Sequence, residues 1–334
     1  LFDERIILSL PIRDGRVQLP EAAVEGMVVS RALARELWRS QGVTDFDALP
    51  RPFAAVATDI RTGEGVVLRA GSLTEAIRAS TAIPGLLEPI ELGGRLLVDG
   101  GVVRNLPAEE ARMLGAELLI CSDVARAPAV REYQSMLDIL STAVTLRSQE
   151  DLARQYRECD VVLRPVSGEL TAADFQALDT WIEIGRQAVR EKLPEITGAF
   201  TSRRTGGSLP AFARTQVRRQ APLLPDSVYL REIRFAGLES EGMTRPALRA
   251  LGLRVGDAVD AGRMDRAMAA LQGTDLYAGV GYRILPAEDG TAVLEVAAEP
   301  VQRDRLGVGF RFDNRYKASV LLSATLQNRL GYGS

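Results

Sequence analysis

One carboxylate stands where chemistry could be done. The run Leu96-Leu97-Val98-Asp99-Gly100-Gly101 sets an apolar strand before an aspartate and two glycines after it, so the backbone can turn sharply and small groups can approach the carboxylate. Such a carboxylate can accept or orient a proton. The same residues also suit an aspartate that only begins a turn, and the local sequence leaves both readings open. No histidine occurs in the 334 residues. This removes a Ser-His-Asp triad, a His-ligated zinc and an imidazole base from the chain, and leaves acid-base chemistry to carboxylates, Lys, Tyr or Cys. Cys121 and Cys159 lack metal-ligand spacing and are expected to be buried thiols. No metal or cofactor is expected.

The elements that would position Asp99 follow from pattern. Residues 24–38 read as a helix with Val28, Leu33, Leu37 and Trp38 near one face. Residues 52–58 form a short buried strand, which Asp59 to Gly65 turns into a second strand, 66–69, as an edge hairpin. Ser72-Leu73-Thr74-Glu75 has capping-box spacing, and Pro84-Gly85 stops the helix it starts. Within that helix Ala79, Ser80, Thr81 and Ala82 are small, which suits close packing and, as an alternative, a binding surface. Pro107, Glu109 and Glu110 open a further helix to Leu114.

Beyond it, residues 117–124 read as an apolar strand buried on both faces, 133–159 as a long helix, 160–165 as a strand and 175–193 as a helix ending at Pro194. Strands alternating with helices predict an α/β layered domain with a largely parallel sheet, in which ligands sit at the carboxyl ends of strands. Asp99 falls at such an end.

Three stretches carry a resemblance to the bacterial patatin-like phospholipases: Ala57-Thr58-Asp59 with Thr62-Gly63-Glu64, Ala76 to Gly85, and Leu97 to Pro107. The resemblance covers residues 1–195. It implies a serine lipid acyl hydrolase with a Ser-Asp dyad, in which Asp99 is the aspartate and Gly100 and Gly101 complete its D-G-G motif. The substrate implied is a phospholipid or other acyl ester. The family's nucleophile lies in a G-x-S-x-G elbow and its oxyanion hole in a glycine-rich loop, and neither motif occurs here. The serine is therefore expected upstream of Leu1, in a longer protein that is expected to continue beyond this chain at both ends.

Residues 196–225 contain no acidic residue but have Arg203, Arg204, Arg214, Arg218 and Arg219, and read as an interdomain linker. A solvated connector and a segment lying on anionic lipid are both open readings. Residues 226–299 have a β-α-α-β-β order and resemble a POTRA module, on Ile233 to Gly237, Gly256-Asp257 and Leu276 to Tyr282. In 300–334, Leu306, Val308, Phe310 and Phe312 alternate with polar residues and glycine, and Ala318 to Leu326 repeat the alternation. Two strands of about ten residues with this pattern suit the opening of an outer-membrane β-barrel, and a soluble amphipathic hairpin would look similar.

The three regions in this order resemble patatin-like autotransporters of the type V secretion class. That resemblance implies a lipase displayed on or secreted from the bacterial cell surface and anchored in the outer membrane by its barrel; a homodimer is an open partner alternative. The net charge of −3, from 41 Lys and Arg against 44 Asp and Glu, gives no reason to expect nucleic acid. Two alternatives stay open: a non-catalytic outer-membrane assembly or secretion component on a patatin-like scaffold, and an intracellular patatin fused to a soluble module.

Overall fold

Short strands joined by glycine turns build the part of the fold that carries Asp99. The computed structural model describes residues 6–13, 16–17, 26–124, 151–165, 170, 174–205, 221–238, 241–274, 276–300, 304–311 and 319–325. Strands β1 (Ile6–Arg13) and β2 (Arg16–Val17) precede helix α1 (Gly26–Glu36). Then come β3 (Ala55–Asp59), β4 (Glu64–Leu68), helix α2 (Leu73–Ser80), β5 (Ile90–Leu92) and β6 (Arg95–Asp99). The Ser72 hydroxyl accepts from the Glu75 amide at 3.3 Å, so the predicted cap does start α2. Between β5 and β6 the chain reverses through Gly93 and Gly94, both at positive φ (59° and 75°), as a two-residue hairpin loop requires.

The sheet order is β4-β3-β6-β5, and every neighbouring pair is antiparallel. The fold is α/β, but the expectation of a largely parallel sheet is corrected for the sheet that holds Asp99. The β3–β4 and β5–β6 pairs are hairpins, whose tight turns cannot link parallel neighbours, and the connection through α2 returns β6 antiparallel to β3. A parallel pair follows helix α3 (Ala108–Met113): β7 (Ile120–Ser122) lies beside β8 (Val161–Leu163). The predicted strand 117–124 is thus shorter, and only its middle is buried, since Ile120 is 42% exposed. Residues 151–158, here α4, form a helix before β8; the rest of the predicted helix, 133–150, lies outside the described residues.

Helix α5 (Leu178–Thr205) continues through Pro194, past its predicted end and into the stretch read as a linker. Residues 206–220, with Arg214, Arg218 and Arg219, lie outside the described residues. The last of the supposed linker is packed: the Ala221 amide donates to the Ala48 carbonyl and the Leu224 amide to the Arg39 carbonyl.

Strand β9 (Ser227–Ala236), helix α6 (Glu241–Leu251), short β10 (Ala258–Asp260), helix α7 (Ala261–Gln272), β11 (Tyr277–Pro286) and β12 (Thr291–Pro300) follow. The sheet order is β10-β9-β12-β11, with β12 parallel to β9 and antiparallel to β11. The Asp260 side chain caps α7 by accepting from the Arg263 amide at 2.6 Å.

This unit shares its core with α1. Ala34 and Trp38 join Met264, Met268, Leu271, Tyr282 and Ile284 in one buried cluster. Arg31 Nε reaches Asp265 at 2.8 Å, and the Trp38 indole N–H donates to the Pro225 carbonyl at 2.9 Å. Of the face predicted for this helix, Trp38 is buried and Leu33 and Leu37 are half-buried, but Val28 is corrected, being 52% exposed, and Ala34 is buried in addition.

Strands β13 (Asp304–Arg311) and β14 (Ser319–Thr325) pair antiparallel, from Arg305 opposite Thr325 to Arg311 opposite Ser319. Their sheet also takes in β1 and β2, in the order β14-β13-β1-β2. Phe312, Asp313, Ala318, Leu326 and Gln327, used in reading the alternation, lie outside the described residues. Among the described residues no helix is long and apolar enough to cross a membrane.

Candidate active site around Asp99

Asp99 ends β6 beside β3, with Ala57 opposite it, Val98 opposite Thr58 and Leu97 opposite Asp59. Leu97 and Ala57 are fully buried and Val98 nearly so, which anchors the strand and leaves its last side chain half-buried at the sheet end. Three contacts fix the aspartate. Its amide donates to the Ala82 carbonyl at 2.9 Å, its carbonyl accepts from the Thr58 hydroxyl at 3.0 Å, and its Oδ1 accepts from the Gly101 amide at 2.7 Å. Ala82 lies just past α2, so the small residues Ala76, Ala79 and Ala82, all buried, let that helix close onto the sheet.

The glycines answer two different demands. Gly100 is buried against β3, where a Cβ would stand 2.2 Å from the Val56 carbonyl oxygen. That oxygen accepts from the Ser80 hydroxyl at 2.7 Å. A Cβ on Gly101 would lie 3.0 Å from Asp99 Oδ1 and 2.9 Å from Asn105 Oδ1, so Gly101 is the gap between those two side chains.

Burial raises the Asp99 pKa above the usual aspartate value, and the Gly101 N–H opposes this in part. A carboxylate held partly out of water is a stronger base than an exposed one. Among the described residues no serine hydroxyl donates to it, and no cluster of His, Cys, Asp and Glu could hold a metal ion.

Downstream, the turn is tied into a charged network that sequence reading missed. The Gly100 carbonyl accepts from the amides of Val103, at 3.1 Å, and Arg104, at 2.7 Å. The Arg104 guanidinium pairs with Glu110, with Asp151 at 3.3 Å and with Glu109 at 3.7 Å. Burial lowers the Arg104 pKa, but these carboxylates, led by Glu110, carry it above the usual value. Gln155, wholly buried, accepts from the Glu109 amide at 3.0 Å.

The expectation of two buried thiols is overturned. Cys121 and Cys159 form a disulfide, with Cα atoms 5.9 Å apart. The pairing of β7 with β8 brings Ile120 opposite Val161 and Cys121 opposite Val162. Cys159, two residues before β8, thus comes within bonding reach of Cys121. The 38-residue separation hid this in the sequence.

Comparison with known proteins bears on the same region. Residues 4–112 match the model of the patatin-like phospholipase family. An NTE family protein of Mycobacterium bovis is 32% identical over 177 residues, covering 46% of this chain and 30% of the relative. A patatin-like phospholipase domain-containing protein of Caenorhabditis elegans is 28% identical over 230 residues, covering 59% of this chain and 17% of the relative. The mouse patatin-like phospholipase domain-containing protein 6 is 37% identical over 103 residues, covering 30% of this chain and 8% of the relative. Residues 4–112 are thus similar to patatin-like phospholipases and the chain has NTE-family relatives, of whose length it spans about a third or less.

Proposed function

We propose that the full-length protein is a serine lipid acyl hydrolase acting on carboxylic esters of phospholipids, with Asp99 as the partner of a serine N-terminal to Leu1. The observation that carries this reading is the Asp99 turn, a basic, half-buried carboxylate at a strand end, inside the stretch that matches the patatin-like family. In the reaction the serine Oγ bonds to the ester carbonyl carbon as its proton passes to the Asp99 carboxylate. The proton then goes to the leaving alcohol oxygen as the ester C–O bond breaks, and water releases the acyl group by the same route. In a fluorophosphonate labelling test of the full-length protein, the wild type should be labelled and Asp99→Asn should not. Absence of labelling in the wild type would favour the scaffold reading.

The finer reading places 226–299 as a POTRA-like module and 300–334 as the opening of an outer-membrane barrel that displays or secretes the lipase. The parallel β9–β12 pair flanked by β11, the two intervening helices and the β13–β14 hairpin support it. So does the disulfide, a bond that persists in oxidising compartments. Membrane fractionation of Gram-negative cells producing the full-length protein, followed by external protease, tests it. Recovery in the cytosol overturns it.

A further inference from the structure

Resting on the reading of Asp99 as the dyad carboxylate, we propose that Arg104 is a positioning residue, whose guanidinium, hydrogen-bonded to Glu110 and ion-paired with Asp151, holds the Gly100–Arg104 turn and so the direction of the Asp99 carboxylate. Among the described residues the Asp99 side chain is aimed by one hydrogen bond, from the Gly101 amide. The Gly101 amide is in turn placed by the turn that follows, and the Gly100 carbonyl accepts from the Arg104 amide at 2.7 Å. Arg104 therefore closes the turn with its backbone and anchors it with its side chain.

The anchor is built from two helices. Glu109 and Glu110 come from α3 and Asp151 from α4. Arg154, on the same helix as Asp151 and paired with it at 2.5 Å, reaches across to Glu109 of α3 at 3.1 Å and so ties the two helices together. Glu110 is 5% exposed and Asp151 16%. Carboxylates this deep need their counter-charge, so the guanidinium has little freedom to leave. A planar fork can meet two carboxylates from different directions, whereas an ammonium is a point charge with a shorter reach. Lysine at 104 should keep the charge balance and lose the geometry.

The test measures fluorophosphonate labelling of full-length wild type, Arg104→Lys, Asp151→Asn and the double variant. Labelling amplitude reports the folded fraction, and the rate constant reports the geometry of the reacting groups, so a merely structural role moves the amplitude alone. Arg104→Lys should keep its amplitude and label about ten-fold or more slowly, as a displaced catalytic group would. KM for a soluble ester should stay within about two-fold of wild type, since the loss falls on the transition state. The double variant should be no slower than the slower single, as expected for residues acting through one contact.

Labelling of Arg104→Lys at the wild-type rate, or loss of amplitude alone, overturns the proposal. Should Arg104→Lys fail to fold, Arg104→Gln combined with Glu110→Gln removes both charges and is judged by the same rate. Asp99→Asn separates the two ideas. Wild-type labelling there sinks the dyad reading, whereas lost labelling there with a normal rate in Arg104→Lys sinks only the role of Arg104.

Discussion

Gly100 lies so close to Val56 that a side chain there would sit inside the strand: a Cβ would be 2.2 Å from the Val56 carbonyl oxygen and 2.7 Å from its carbon. Both atoms belong to backbone, which cannot swing aside as a flexible side chain could. Gly100→Ala must therefore push the turn away from β3, at a cost of about 1–3 kcal/mol by analogy with overpacked cores. Chemical denaturation should show the midpoint fall with an unchanged slope. Gly101→Ala meets side-chain oxygens instead and should cost less stability while displacing Asp99 and Asn105.

Asp99→Asn separates charge from shape. The amide oxygen can still accept from the Gly101 N–H, so the turn should persist while the base is lost, lowering activity by about 10²- to 10⁴-fold. Because burial raises the folded-state pKa above the ordinary aspartate value of 3.8, the folded protein binds more protons than the unfolded chain between these two values. Asp99 therefore lowers stability as pH rises through that window. Asn should make the protein more stable than wild type at pH 7, with the difference shrinking as pH falls toward 3.8. Thermal unfolding of both proteins across this range checks the sign.

What could be read from the chain was what neighbours in sequence decide. Ser72 caps α2 and Asp99 begins a turn because each depends on residues within three positions. The antiparallel β3–β6 pairing, the Cys121–Cys159 bond and the anchoring of Arg104 by Asp151 join residues about 40 positions apart. Nothing local distinguishes a buried thiol from half a disulfide. On the helix predicted over 24–38 the burial of Trp38 was legible and the exposure of Val28 was not, since helical periodicity marks which residues are apolar but not what arrives to cover them.

The disulfide should be a large stabilising element. It closes the chain from Cys121 to Cys159, a separation of 38 residues, for which loop-closure entropy gives about 4 kcal/mol. Reduction, or Cys121→Ser with Cys159→Ser, should lower the melting temperature. Mass spectrometry of the unreduced protein should show no free thiol. A free-thiol count of two with unchanged melting under reductant would show that the two cysteines are not bonded.

Trp38 joins the Asp99 part of the fold to the β9–β12 unit. It is 4% exposed, lies in one core with Met264, Met268 and Leu271, and donates its indole N–H to Pro225. Because that core is shared, the two parts should unfold together. Trp38→Ala removes the ring from its centre, at a cost of about 3–5 kcal/mol, and should divide one calorimetric transition into two. Arg31→Ala removes a hydrogen bond to Gln272 Oε1 at 3.1 Å and a partly exposed ion pair with Asp265, the latter of the kind worth about 0–1 kcal/mol, and should leave a single transition. Two transitions in the wild type would show that the helix and the unit it supports melt independently.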